Sequence, residues 1–332
     1  MIVTVTLNPS LDEWVYLPSL RVGRVNRAVH FCRYPGGKGI NVSRVVQELG
    51  ARGLALALAG GDDGHILSRQ LTRDGLAHRF VTVRGTTRNN YQIQTASPRA
   101  VTQVNAPGPR ASAVAVRRLT QAVQRACRQA TGLALSGSLP PGTPADVYAA
   151  LLGATRRAGL WTVLDASGPA LRAGLAAAPW LIKPNRDEAE ELLGRRLRRR
   201  RDIVRAALAL TRRGASVVVI SLGAEGAVMA VRSAAHSTPE PAWTGPAQSA
   251  VRPAARVWWA RPPRVRVDST VGAGDSLVAG FLVSWLRRQS LTEALRLGVA
   301  CGAAAAMTPG TELCHRHDVR RLVSRVKIEE VS

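Results

Sequence analysis

The 332-residue chain is 46% hydrophobic and carries 46 Lys and Arg residues against 22 Asp and Glu, a formal net charge of +24. Such a length can bury a large core, so these numbers exclude a wholly disordered protein. No uncharged apolar run approaches the roughly 20 residues that span a bilayer. Residues 1–7 do not resemble a signal peptide, and the four cysteines show no metal-site spacing. We therefore expect a soluble cytoplasmic protein with no membrane partner.

The large positive charge raises the question of a nucleic-acid partner. Of the 46 basic residues 43 are Arg and only Lys38, Lys183 and Lys327 are Lys, which indicates a coding bias that places Arg at ordinary surface positions. The densest basic run, residues 195–201, contains no aromatic residue for base stacking. We therefore expect no specific nucleic-acid partner, and a non-catalytic nucleic-acid-binding protein is the alternative from another class. Two of the three, Lys38 and Lys183, lie inside glycine-rich or strand-end motifs, and the bias marks these two as candidate positions that Arg cannot fill.

Short apolar, β-rich runs alternate with helical patterns along most of the chain. Buried strands are predicted at residues 2–7, 54–58, 132–135, 161–164, 181–183 and 217–221. Helices are predicted between them, at residues 114–129, 146–157 and 203–213. This alternation predicts an α/β fold with a mostly parallel sheet and right-handed crossovers.

Two regions depart from that alternation. Residues 13–17 with 28–34, and 90–95 with 100–104, predict four short strands without intervening helices, and hence a small second sheet over the main one. Residues 233–253 are rich in Pro, Ala and Ser without periodicity, which predicts a flexible surface insertion. We expect one domain, its small sheet drawn from about residues 12–35 and 88–105.

The strongest functional signal is the segment DSTVGAGDS at residues 268–276, followed by an apolar helical run at 277–286. Glycines at the start of a helix let backbone N–H groups close on an anion, and the helix dipole favours negative charge there. The segment differs from a Walker A loop, because Asp275 stands where that loop has Lys. A carboxylate beside an anion site is a candidate base for an attacking hydroxyl. The alternative role of Asp275 is to cap the helix.

Two further motifs place polar side chains beside glycines or at a strand end. In PGGKGIN, residues 35–41, Gly36 and Gly37 allow close approach to a ligand, and Lys38 and Asn41 lie one helical turn apart. In KPNRDE, residues 183–188, Asn185 and Glu188 have the spacing of a helix capping pair. The second pair has two open interpretations, a cap or an outer-shell Mg²⁺ site reached through water.

Together the motifs resemble those of the ribokinase/phosphofructokinase-B family of sugar kinases. The resemblance runs over nearly the whole chain, because further segments match in order: TLNPSLD at 6–12, TRNN at 87–90, SGSLPPG at 136–142, LDASG at 164–168, KPN at 183–185 and SLGAEGA at 221–227. It implies a three-layer α/β/α core whose mostly parallel sheet is covered by a small β-sheet lid. It also implies that the lids of two copies pair, which gives a homodimer.

The resemblance also implies a role for each motif in transferring the γ-phosphoryl group of ATP. The catalytic group comprises Asp275 as base, with Gly272, Ala273 and Gly274 as the anion hole. The sugar-binding residues are Asp12, Gly36, Gly37, Lys38 and Asn41. The residues expected on the phosphate already carried by the substrate are Arg88, Ser138 and Arg27. The residues expected on ATP are Asn185, Ser221, Gly223, Gly226, Thr270, Gly272 and Gly274. Mg²⁺ would be held through water by Asn185 and Glu188.

The implied reaction is ATP-dependent phosphorylation of a ketohexose phosphate. Fructose 1-phosphate is the first substrate expected, and tagatose 6-phosphate and fructose 6-phosphate are the alternatives. A nucleoside or ribose kinase is disfavoured, because an uncharged substrate needs no cation such as Arg88.

Overall fold

The computed structural model describes residues 1–98, 100–232 and 255–331. The insertion predicted at 233–253 lies outside the described residues. No helix in the described ranges is long and apolar enough to cross a membrane.

The described chain contains fourteen strands and ten α-helices. The strands are β1 (Ile2–Thr6), β2 (Ser10–Leu17), β3 (His30–Gly36), β4 (Gly53–Ala59), β5 (His78–Thr82), β6 (Arg88–Thr95), β7 (Ala100–Asn105), β8 (Gly132–Ser136), β9 (Trp161–Asp165), β10 (Leu181–Ile182), β11 (Val217–Ser221), β12 (Ala227–Val231), β13 (Arg256–Arg261) and β14 (Lys327–Glu330). The helices are α1 (Lys38–Glu48), α2 (Gly61–Arg73), α3 (Ala113–Cys127), α4 (Val147–Thr155), α5 (Gly168–Ala176), α6 (Arg186–Leu193), α7 (Arg200–Thr211), α8 (Ala273–Arg288), α9 (Leu291–Ala305) and α10 (Arg316–Val323).

Ten strands form the main sheet, in the order β14-β13-β12-β11-β10-β9-β8-β1-β4-β5. The seven strands from β11 to β5 are parallel, which confirms the α/β prediction and all six predicted strands. The antiparallel edge formed by β12, β13 and β14 was not predicted. Its outermost strand, β14, has the polar sequence KIEE, which alone does not indicate a strand. Pairing with β13 holds β14 in place, and Arg256 Nε on β13 donates to Glu330 Oε1 at 2.7 Å.

Helices cover both faces of the main sheet and bury two apolar layers. One layer lies under α3 to α7 and the other under α1, α8, α9 and α10, so the described chain has the three-layer α/β/α core that was predicted. The parallel strands are buried on both faces and therefore consist of nearly continuous apolar runs such as IVTVT and VVVIS. Because they are parallel, their carboxyl ends meet at one edge of the sheet.

The four predicted short strands form a separate sheet in the order β3-β2-β6-β7. This small sheet follows β1 directly, since β2 begins only four residues after β1 ends. It is tied to the body by Trp14, whose indole N–H donates to Thr311 Oγ1 at 2.9 Å and whose side chain is buried. The small sheet is thereby held beside the carboxyl edge of the main sheet.

Candidate active site

The first turn of α8 follows a glycine loop that no side chain caps. Gly272, the residue before the helix, has φ 79°, in the left-handed region that favours glycine. A Cβ at Gly272 would also collide with the side chain of Leu313. A glycine-led helix start without a side-chain cap is the arrangement that an anion site requires.

Asp275 lies in that first turn, and its side chain makes no capping hydrogen bond to the helix. Its Oδ2 accepts a hydrogen bond from Asn41 Nδ2 at 2.9 Å, across from α8 to α1. Burial first, and the charge of Asp165 second, raise the pKa of Asp275 to about 6, against the opposing effects of Lys38, Asn41 and Lys183. A carboxylate with this pKa is ionised at neutral pH and basic enough to take a proton from a hydroxyl.

Lys38 and Lys183 meet on a residue to which the sequence motifs gave no role. Asp165, at the end of β9, is completely buried, and its Oδ1 lies 3.1 Å from Lys38 Nζ and 3.4 Å from Lys183 Nζ. Lys38 Nζ also lies 3.9 Å from Glu188 Oε1. The signal that could have revealed Asp165 is a carboxylate that ends a buried strand in a chain with only three lysines.

Asn185 and Glu188 form the capping pair of α6. Asn185 Oδ1 accepts from the Glu188 N–H, and the Asn185 N–H donates to Glu188 Oε2, both at 2.8 Å. The capping interpretation is confirmed by these two bonds, and they leave Glu188 Oε1 on the side that faces Lys38. In the described ranges no group of three or more His, Cys, Asp or Glu side chains could ligate a metal.

Asp12 lies on the small sheet and is held by two neighbours. Its Oδ1 accepts from Ser10 Oγ at 2.8 Å and from Asn90 Nδ2 at 3.2 Å, and burial raises its pKa. A Cβ at Gly36 would lie 2.5 Å from that same oxygen, so this glycine is needed for the close packing of β3 on β2. Asn90 is a second polar residue to which the sequence analysis gave no role.

Arg88 is fixed by neutral acceptors. Its guanidinium donates to the carbonyl oxygens of Ala106 at 2.9 Å and Asn8 at 3.1 Å, and to Ser138 Oγ at 3.5 Å. The structure therefore brings Arg88 and Ser138 together. Arg27 is exposed between β2 and β3, and among the described residues no hydrogen bond or ion pair joins it to either of them.

Ser221 and two glycines shape the turn after β11. The Ser221 N–H donates to Pro184 O at 3.0 Å, which places the turn beside the KPN segment. Gly223 and Gly226 have φ 58° and 91°, and a Cβ at Gly226 would collide with the backbone of β13. Thr270 is exposed before α8, and its carbonyl accepts from the Ala273 N–H at 3.3 Å.

The pfkB family carbohydrate kinase model matches residues 5–318 of the chain. The chain belongs to this family. It is 33% identical over 328 residues to a 1-phosphofructokinase of Bacillus subtilis, with 99% of each chain covered. It is 34% identical over 321 residues to an ATP-dependent 6-phosphofructokinase isozyme 2 of Mycobacterium tuberculosis, with 96% of this chain and 88% of that protein covered.

Solved structures agree with this membership. Phosphofructokinase-2 of Escherichia coli in complex with potassium is 31% identical, with a TM-score of 0.84 and 98% of each chain covered. Arabidopsis thaliana ribokinase complexed with ribose and ATP is 20% identical, with a TM-score of 0.70 over 97% of this chain and 98% of that one, and shares the fold. As a pfkB family member the chain is a sugar-phosphate kinase, a phosphotransferase whose donor is ATP.

Three pairs of the predicted site residues are in direct contact. Asp275 and Asn41 meet through a hydrogen bond, Arg88 meets Ser138, and Asn185 meets Ser221 through a β-bridge. Asp165 and Asn90 are two further polar residues that contact the predicted site residues, and the sequence motifs had given them no role.

Proposed function

We propose that this kinase transfers the γ-phosphoryl group of ATP to fructose 1-phosphate and forms fructose 1,6-bisphosphate. The observation that carries the proposal is Asp275, a buried carboxylate with its pKa raised to about 6, in the first turn of a helix that no side chain caps. Phosphoryl transfer to a hydroxyl needs a base beside an anion site, and a basic carboxylate at an uncapped helix start supports that assignment.

In the proposed reaction the free primary hydroxyl of the sugar lies against Asp275. As its oxygen attacks the γ-phosphorus, Asp275 takes the hydroxyl proton while Asn41 holds the other side of the carboxylate. The N–H groups of Gly272, Ala273 and Gly274 stabilise negative charge on the transferred phosphoryl oxygens. The ADP oxygen leaves with the electron pair of the broken bond.

Arg88 and Ser138 are proposed to bind the phosphate that the sugar already carries. Arg88 is oriented by two carbonyls and a hydroxyl, so its charge is not cancelled by a directly bonded carboxylate. A guanidinium binds a phosphate dianion through paired hydrogen bonds. Asp12 is proposed to accept hydrogen bonds from sugar hydroxyls, with Gly36 and Gly37 closing on the ring.

The ATP site is proposed at the turn after β11 and the loop before α8, where its residues are Ser221, Gly223, Gly226, Thr270, Gly272 and Gly274. Glu188 retains one carboxylate oxygen beyond its capping bond, which fits a water-mediated contact to Mg²⁺ on the nucleotide, with Asn185 beside it. Such a cation supplies charge neutralisation of the phosphates.

The choice of fructose 1-phosphate is supported by relatives named 1-phosphofructokinase at 33–34% identity. Fructose 6-phosphate is the second candidate, because a relative named 6-phosphofructokinase is equally similar at 34%. A single assay separates them: ADP release measured over fructose 1-phosphate, fructose 6-phosphate, tagatose 6-phosphate, fructose and ribose. The proposal requires the highest kcat/KM with fructose 1-phosphate. A higher value with another ketohexose phosphate transfers the assignment to that sugar, and activity restricted to unphosphorylated sugars overturns it.

A homodimer is proposed through the small sheet. The register places Phe31, Tyr91 and Val104 on one face of that sheet, and their exposed fractions are 51%, 46% and 53%. Asp12 and Trp14 lie on the opposite face. An E. coli phosphofructokinase-2 structure is described as tetrameric, which supports association of copies in this family.

Sedimentation at micromolar concentration tests the dimer. Wild type should sediment as a dimer, and the double substitution Phe31→Ser with Val104→Ser should produce a monomer, since both remove apolar area from the same face. A monomeric wild type with full activity contradicts the proposal.

A further inference from the structure

Two of the three lysines of the chain converge on one carboxylate oxygen. Lys38 begins α1, Lys183 follows β10, and their Nζ atoms lie 3.1 and 3.4 Å from Asp165 Oδ1. These positions are 145 residues apart in sequence, so only the fold brings them together. We call Lys38 and Lys183 the lysine pair.

The sheet register explains the meeting. Strand β9 pairs with β10 so that Leu164 lies beside Ile182, and the next residues along the two strands are Asp165 and Lys183. On the other side, Asp165 lies beside Ser136 of β8. Asp165 is therefore the central residue of a polar row, Ser136, Asp165 and Lys183, at the carboxyl edge of the sheet.

The charges of this cluster depend on one another. Burial by itself raises the pKa of Asp165, but the ammonium groups of Lys183 and Lys38 outweigh it and hold the pKa below its usual range. Burial lowers the pKa of Lys38, and the carboxylates of Asp165, Asp275 and Glu188 more than reverse this. Removing the carboxylate would leave two ammonium groups close together with reduced compensation.

The lysine pair also faces the proposed anion site. A Cβ at Gly274 would lie 3.3 Å from Lys183 Nζ, so this ammonium group is in contact with the glycine loop at the start of α8. Both lysines act on the charge of Asp275 as well. The lysine pair and Asp165 together carry one net positive charge beside the loop where negative charge would develop.

We propose that Asp165 is a positioning residue for phosphoryl transfer, which holds the ammonium groups of Lys38 and Lys183 against the start of α8. This inference rests on the proposed function for its kinetic consequence, but the positioning itself is a property of the protein without substrate. The other oxygen, Asp165 Oδ2, is buried and has no hydrogen-bond partner among the residues described, so the two lysines are its principal counter-charges.

Lysine acylation tests the positioning without any activity measurement. The chain has only three lysines, and Lys327 on the outermost strand β14 is an exposed internal reference. Lys38 has 38% of its side chain exposed, so a small acylating reagent reaches it, but its paired ammonium group must lose a proton before it reacts. In Asp165→Asn, Lys38 should be acylated at least about 10-fold faster relative to Lys327 than in wild type, because the carboxylate that holds its ammonium group at 3.1 Å is gone. An unchanged ratio overturns the proposal.

Kinetics supply the second readout, with Asp146→Asn as the matched control because Asp146 is exposed and makes no side-chain capping bond. Asp165→Asn should lower kcat by about 10- to 100-fold, while Asp146→Asn leaves it unchanged. The acid limb of the kcat profile should also move to lower pH, because a negative charge that disfavours ionised Asp275 is gone. A purely structural Asp165 would lower the melting temperature and leave kcat at its wild-type value.

A double variant protects the test against unfolding. In Asp165→Asn with Lys183→Met, the unpaired buried charge is removed, so folding should recover relative to Asp165→Asn alone while kcat stays low. Recovery of kcat to the wild-type value overturns the proposal. A wild type that is inactive on every ketohexose phosphate would refute the proposed function, and the acylation ratio would still decide whether Asp165 positions the lysines.

Discussion

The site contains two cationic regions that differ in what holds the charge. Arg88, the first residue of β6 in the small sheet, donates to two carbonyls and one hydroxyl. The lysine pair, beneath α8, shares a buried carboxylate. Neutral acceptors orient a cation without cancelling its charge, whereas Asp165 cancels one of two ammonium charges. The difference teaches that the hydrogen-bond partners of a cation, neutral or charged, decide how much of its charge remains for a ligand.

In this comparison Arg88 is suited to bind a charge that is present throughout the reaction, the phosphate of the sugar. Asp12 influences Arg88 through space, yet no ion pair joins them within the described ranges. The lysine pair, whose net charge Asp165 reduces, lies beside the proposed base and the proposed anion site, and it is therefore suited to stabilise negative charge that develops only during the reaction. Binding and turnover should therefore separate when the two regions are altered.

The largest effect is expected at the base. Asp275→Asn should lower kcat by at least about 100-fold, the lower range for loss of general-base catalysis, with ATP affinity nearly unchanged. Initial rates from ADP release and calorimetric titration with ATP give the two quantities. Near-normal turnover in this variant would remove Asp275 from the mechanism and, with it, the distinction between the two regions.

The next effect is expected in the binding region. Arg88→Ala should raise KM for the phosphosugar by about 10- to 100-fold, since hydrogen bonds to charged groups contribute about 1.5–3 kcal/mol. KM for ATP should change little. Arg117→Ala, on the exposed face of α3, removes the same charge at a distance and should change neither value. Equal increases for both substrates would make Arg88 a structural residue.

A smaller effect is expected from pH. Because the pKa of Asp275 is raised to about 6, the base loses activity as pH falls through that value, and kcat at saturating substrate should decline on the acid side. The substrate phosphate also titrates at about pH 6, so its ionisation overlaps that of Asp275. The decisive measurement is therefore the difference in the pH of the acid limb between two enzyme variants assayed with the same substrate. Asn41→Ala removes a hydrogen bond that favours ionised Asp275 and should move the acid limb to higher pH. If the acid limb stays at the same pH in Asn41→Ala, the ionisation that it reports belongs to the substrate phosphate and not to Asp275.

The smallest effects are expected from Lys→Arg substitutions, which retain charge and change only shape. Lys183 is only 4% exposed and touches the loop of Gly274, so Lys183→Arg should destabilise the protein by about 1–3 kcal/mol through overpacking. Lys38→Arg should lower kcat several-fold, with less loss of stability, because a planar guanidinium cannot reproduce the ammonium contact. Lys327→Arg is the silent control. Identical behaviour of all three, measured by thermal melts and ADP release, would refute the argument from lysine scarcity.

The retained lysines show how far residue patterns reach. Their scarcity marked Lys38 and Lys183 as positions that Arg cannot fill, and the structure supplies a reason in the shared carboxylate and the narrow space beside Gly274. The pattern did not indicate that the two residues touch the same group. Lys327, which lies in none of the motifs, is on the edge strand β14.

The sequence by itself determined the α/β class, the parallel strands, the small sheet and the family, because those depend on local periodicity and on short motifs whose residues are neighbours in the chain. Only the tertiary structure decided that Asp275 bonds to Asn41, that Asn90 supports Asp12 and that Asp165 joins the lysine pair. It also decided the antiparallel edge of the main sheet, where a polar strand is stabilised by its neighbour. These contacts arise from strand register and helix packing between distant segments, and burial then sets the charge of each group, which no local pattern encodes.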